Sequence, residues 1–139
     1  MGVAEEKAEV VFRSTAWCDR ARRDFAAMPG GDAERLADYE RGCAAGTYQL
    51  LAVMADNKRA GSLLFEVVKE PAGPVVIIHA LRCDPVAGVP VADLTTLTFA
   101  KRCRAQGVTL LRCFTERAGL VRRMKNLGAK SCWQLELTL

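Results

Sequence analysis

His79 is the only histidine in the chain and sits in the apolar run Val75-Val76-Ile77-Ile78-His79-Ala80-Leu81-Arg82-Cys83. An imidazole titrates near neutrality and can take or give a proton from such a strand. Glu66, flanked by Phe65 and Val67, is a second side chain able to act as a base from an apolar setting. Both have a simpler reading as hydrogen-bonded core groups, since His79 alternates with Val75, Ile77 and Leu81, and that reading outweighs catalysis.

The stretch that follows, Asp84-Pro85-Val86-Ala87-Gly88-Val89-Pro90, leads into a helical pattern, a setting in which backbone N–H groups and a helix N-terminus can hold phosphate. Here Pro85 and Pro90 have no N–H to give, and Asp93 puts a carboxylate into the first helical turn. Asp93 reads as a cap for that helix, filling the anion position from within. A basic cluster of Arg112, Arg117, Arg122, Arg123, Lys125 and Lys130 could grip an anionic partner, although a solvated helix face is the better reading. No metal site is expected, because the single histidine stands alone and no two of the six cysteines have the close spacing of a structural zinc site. The cysteines are spread widely, so six reduced thiols are expected.

The 139 residues are half apolar, enough for one core and one domain over 1–139. A net charge of +4 is far below that of a dedicated nucleic-acid binder, and no aromatic residues interleave with the basic cluster. The N-terminal residues lack the pattern of a signal peptide, and no apolar run reaches the roughly 18 residues of a membrane span. These features predict a cytoplasmic protein with no membrane partner.

Period changes predict the elements. Residues 9–13 read as a strand and Ser14-Thr15 as caps for a helix over about 16–28, with Trp17, Ala21, Phe25 and Met28 on one face. Asp32 caps a second helix carrying Leu36, Tyr39 and Cys43. Tyr48–Ala55 and Gly61–Val68 form a hairpin across Asp56-Asn57-Lys58-Arg59, and 75–83 is a central strand. A helix over 91–106, with Leu94, Leu97, Ala100 and Cys103 inward, crosses to a parallel strand over 108–115. A last helix at 117–127 carries Leu120, Val121, Met124 and Leu127, and alternation from Trp133 to Leu139 predicts a final strand.

This β-α-α-β-β-β-α-β-α-β order, an α/β chain on a mixed, mostly antiparallel sheet with one parallel β-α-β unit, resembles the GNAT N-acetyltransferase superfamily. Cys83-Asp84-Pro85 resembles that family's central strand and cofactor loop, and Asn126-Leu127-Gly128-Ala129 the end of its last helix. The run from Thr115 to Arg122 is similar to that in divergent GNAT-like phage proteins. The resemblance implies acetyl-CoA held along Arg82, Cys83 and Asp84 and at Gly88 and Val89, with the basic cluster near its ribose phosphate. The family's loop pattern, with Gly88 as its first glycine, fails at Pro85 and Pro90, and Met124 stands where the family often has a catalytic tyrosine. The expectation is therefore a GNAT-fold protein without bound cofactor that serves as a binding or structural component, in a virion or other assembly with a protein partner. The alternative is an acyl-CoA-dependent N-acetyltransferase with an unorthodox cofactor site.

Overall fold

The computed structural model describes residues 9–113, 125, 128, 130–131 and 135–139. The predicted helix over 117–127, the Thr115–Arg122 run and Cys132 fall outside them, apart from Lys125.

Strand β1 (Val10–Thr15) runs antiparallel to β2 (Gln49–Ala55), with Val10 opposite Ala55 and Thr15 opposite Leu50. Ser14 and Thr15 therefore belong to the strand instead of capping a helix. The helix α1 is shorter than its apolar spacing predicts, Asp19–Ala26, with Cys18 at its N-cap. The expected face survives: Ala21 and Phe25 are buried, and Trp17 and Met28 pack on the same cluster from outside the helix. Helix α2 (Ala33–Ala44) starts as expected, the Asp32 carboxylate accepting from the Arg35 amide at 2.9 Å.

The hairpin is tighter than predicted. Asp56 and Asn57, at φ +50° and +62°, make a two-residue turn, so β3 already begins at Lys58 and runs to Glu70. Consecutive left-handed residues match the twist of paired strands, and Asp and Asn tolerate that region best among residues with a Cβ. Strand β4 (Gly73–Cys83) returns antiparallel along β3. Helix α3 (Val91–Ala105) then crosses to β5 (Leu110–Cys113), which lies parallel to β4 with Val75 opposite Leu110 and Ile78 opposite Cys113. This is the expected parallel unit, with β5 starting at Leu110 instead of 108 and residues 114–115 of the predicted strand outside the described residues. Two strands follow, β6 (Lys130–Ser131) and β7 (Leu135–Thr138), and the sheet order is β1-β2-β3-β4-β5-β7-β6. The two-residue β6 was not foreseen.

Helices cover both faces of the sheet. On one, Leu51, Val53, Leu63, Phe65, Val76 and Leu111 meet Val91, Phe99 and Cys103 of α3. Phe99 is the centre of this layer, with Phe12 and Phe65 edge-on at 5.8 and 5.1 Å. On the other face Leu50, Leu64 and Ala80 meet Ala21, Phe25 and Leu36. The expected inner stripe of α3 is corrected at Leu97, which is 40% exposed; Cys103 is buried and Leu94 and Ala100 pack against the same layer, while Val91, Thr95 and Phe99 are buried as well. A three-residue step advances about 300° around a helix and drifts off the face, whereas the four-residue step holds it.

Candidate active site

One irregularity in the sheet builds the site. Along β3 and β4, Leu64 opposes Ala80 but Phe65 opposes Ile78, so His79 is an extra residue, a β-bulge. The bulge turns the imidazole toward the α1–α2 layer beside Ala80, and Nε2 comes to 2.8 Å from Glu66 Oε1. The two candidate bases are thus brought together, each side chain 22% exposed. They are hydrogen-bonded, as the simpler reading requires, yet they retain access to solvent.

Two tyrosines complete the cluster, and neither role is visible in the residue pattern alone. The Tyr48 ring lies 4.6 Å from the imidazole, centroid to centroid, and edge-on to Tyr39 at 6.4 Å. Tyr39 Oη reaches the His79 carbonyl at 3.5 Å, and burial raises its pKa against the opposing charge of Arg35, so the phenol stays protonated as a donor. Gly42 makes the arrangement possible, since a Cβ there would lie 2.2 Å from Tyr48 Cδ2. A glycine in the middle of a helix was the available signal, because it costs stability unless something packs close against it. Tyr48 also lines a cleft of about 530 Å³ with Ser14, Thr15, Trp17, Glu40 and Cys43.

Among the described residues, β4 pairs with β5 as far as Ile78 and Cys113, and no strand pairs with the β5-facing edge of β4 over His79–Cys83. The three cofactor positions predicted on this strand have these settings: the Arg82 guanidinium lies 3.5 Å from Asp84, the Cys83 thiol packs near Thr95 Oγ1 at 3.8 Å, and the Asp84 amide donates to the Ala60 carbonyl at 2.6 Å. Burial pushes the Cys83 thiol pKa up. At the loop, Val86 and Val89 close a turn in which Gly88 takes φ +73°, with open space where a Cβ would stand. The Val89 amide, a predicted ligand donor, is spent on the Val86 carbonyl at 3.0 Å. The N-cap of α3 is Pro90, which makes no side-chain cap hydrogen bond, and Asp93 lies in the first turn instead of at the N-cap.

An arginine from α1 reaches the head of the loop. The Arg20 guanidinium on α1 grips buried Asp24 through Nε at 3.1 Å and Asp84 through Nη2 at 2.7 Å. Asp24 also accepts from Ser62 at 2.6 Å, and Ser62 accepts from Arg59 at 2.9 Å. Of the predicted basic cluster, Arg112 pairs with Glu70 and Lys125 is exposed. Among the described residues no group of His, Cys, Asp and Glu could hold a metal, and no helix is long and apolar enough to cross a membrane. The five described cysteines are free thiols.

No family model and no curated protein matches the sequence. Solved structures match its shape over nearly the whole chain. A GNAT family acetyltransferase from Elizabethkingia anophelis with acetyl-CoA bound superposes at TM-score 0.69 with 8% identity, covering 94% of this chain and 99% of its own. The polyamine N-acetyltransferase of Drosophila melanogaster, which forms N-acetylagmatine, gives 0.69 with 12% identity over 94% and 100%. PaiA N-acetyltransferase from Thermoplasma acidophilum in complex with coenzyme A gives 0.60 with 15% identity over 94% and 99%. The chain has the GNAT acetyltransferase fold.

Proposed function

We propose that the protein is an acyl-CoA-dependent N-acyltransferase, and the observation that carries this reading is the solvent-accessible Glu66–His79 pair at the β4 bulge, beside the Tyr48 cleft. The β5-facing edge of β4 over His79–Cys83, with which no described strand pairs, offers backbone groups that an extended, amide-bearing arm such as pantetheine can pair with. The Gly88 turn leading into α3 suits phosphates, with fewer amides than usual because Pro85, Pro90 and the committed Val89 supply none. The residues present therefore fit acyl-CoA with a weakened loop grip. Bound acyl-CoA supplies an activated thioester carbonyl and a thiolate leaving group.

The chain's own contribution is proton handling. With Nε2–H donated to Glu66, the other ring nitrogen of His79, Nδ1, carries the lone pair that takes the proton of an incoming amine. Glu66 fixes the tautomer and stabilises the imidazolium that results. The Tyr48 ring holds the imidazole from one side, and the cleft behind it gives an acceptor room.

Two measurements test this. At a hundred times its dissociation constant, acetyl-CoA should stabilise the fold by about 2.7 kcal/mol, seen as a rise in Tm. Transfer of a radiolabelled acetyl group to a panel of primary amines should fall about 10²–10⁴-fold in kcat for His79→Gln with the acetyl-CoA affinity retained. Full activity in His79→Gln would remove the pair from the mechanism.

The competing reading, a binding or structural protein acting through a protein partner or larger assembly, draws on Pro85, Pro90 and the carboxylate of Asp93 beside the helix start. It requires that acetyl-CoA at millimolar concentration leave Tm unchanged. The solved structures, acetyltransferases with acetyl-CoA or coenzyme A bound among them, support the first reading over this one.

A further inference from the structure

The loop has lost amide donors, and the charges around its first residue indicate what replaces them. Three guanidinium groups, Arg20, Arg59 and Arg82, converge with two carboxylates, Asp24 and Asp84, through the contacts above. Asp24 is only 4% exposed and holds Arg20 and Ser62 in place. Asp84 is the accessible member, 44% exposed, and it sits between Arg20 at 2.7 Å and Arg82 at 3.5 Å. Among the described residues the cluster keeps one positive charge more than its acids neutralise. Guanidinium groups keep their charge at any working pH and present planar, paired donors matched to phosphate oxygens.

We propose that Arg20 and Arg82 form a diphosphate-binding pair in which the Asp84 carboxylate is an internal stand-in for the ligand. A diphosphate arriving at the loop displaces Asp84, exchanging one carboxylate contact for phosphate contacts to the same two guanidinium groups. Arg20 stays anchored by its second contact to buried Asp24, so it is preset for the ligand. The carboxylate competes with the ligand and lowers its affinity. The identity of the diphosphate's bearer, acyl-CoA, rests on the acyltransferase reading; the anion pair does not.

The test is calorimetric titration of the whole chain and two variants, Asp84→Asn and Arg82→Met, with inorganic pyrophosphate and separately with coenzyme A, in magnesium-free buffer. Arg20 is left intact, because its loss would strand the buried Asp24 charge and damage the fold. Removing the competing charge in Asp84→Asn should tighten both ligands about tenfold, and Arg82→Met should weaken both by a similar factor. A gain of affinity cannot come from a damaged fold. Unchanged or weaker binding in Asp84→Asn overturns the proposal, as does failure of every variant to bind pyrophosphate. Coenzyme A that binds but ignores both substitutions overturns the anion pair and leaves the acyltransferase reading standing. Pyrophosphate binding that follows both substitutions, without coenzyme A binding, supports the pair and defeats that reading.

Discussion

Buried thiols on either side of the parallel crossover make the fold sensitive to alkali. Cys103 on α3 and Cys113 on β5 are 4% and 2% exposed, and burial pushes each from the ordinary 9.0 to about 11, Arg102 opposing the shift at Cys103. Below pH 9 both folded and unfolded chains keep these protons, so their contribution is fully present. Between pH 9 and 11 the unfolded chain sheds them and the folded chain does not, so unfolding releases protons and stability falls as pH rises. Urea titrations across that interval should show a steeper loss for the natural protein than for the Cys103→Ala, Cys113→Ala double variant, although the variant starts less stable. Equal slopes would show that the thiols do not contribute. At this scale the sequence was informative about candidates and silent about relations. His79 and Glu66 were both visible as ionisable groups in apolar runs, but their 2.8 Å contact depends on a bulge that leaves no trace in residue types. Asp93 reads as a cap because its type suits one, but the helix begins at Val91 as expected, with Pro90 as N-cap and Asp93 inside the first turn.

Among the elements, α2 is built around a defect that its own propensity would remove. Ala at position 42 should add about 1 kcal/mol to an isolated helix, but its Cβ would meet the Tyr48 ring at 2.2 Å. Overpacking of that kind costs about 1–3 kcal/mol and outweighs the gain, because the ring is already held between Tyr39 and His79. Gly42→Ala should therefore lose stability in urea denaturation. In a Tyr48→Ala background the same change should instead stabilise by about 1 kcal/mol, and a double-mutant cycle isolates the clash from the propensity term. No sign change between backgrounds would mean that the ring is not what Gly42 accommodates. Apolar periodicity identified the kind and order of these elements through β5, since period two and period near four are distinct. Boundaries failed where pairing overrode propensity, as when Ser14 and Thr15 continued the β1 ladder opposite Leu51 and Leu50.

For the molecule as a whole, sheet order was readable from β1 to β5 because each strand lies beside the previous one in sequence, across a short turn or a helical crossover. The insertion of β7 between β5 and β6 was not, as a two-residue strand carries no pattern. That asymmetry has a kinetic consequence, and the Asp56-Asn57 turn is its origin. The β2–β3 hairpin closes a loop of two residues, while β4 and β5 must wait for the ordering of the segment between Cys83 and Leu110. Short loops close fastest and lose least chain entropy, so the hairpin and its β4 extension are expected to organise the transition state before the parallel half docks. Val at position 57 cannot adopt φ +62° without strain of about 1–2 kcal/mol. In stopped-flow refolding, Asn57→Val should slow folding by nearly the whole of that penalty and leave the unfolding rate almost unchanged. A penalty that appears in the unfolding rate instead would place nucleation elsewhere, in the crossover that the rest of the sheet waits upon.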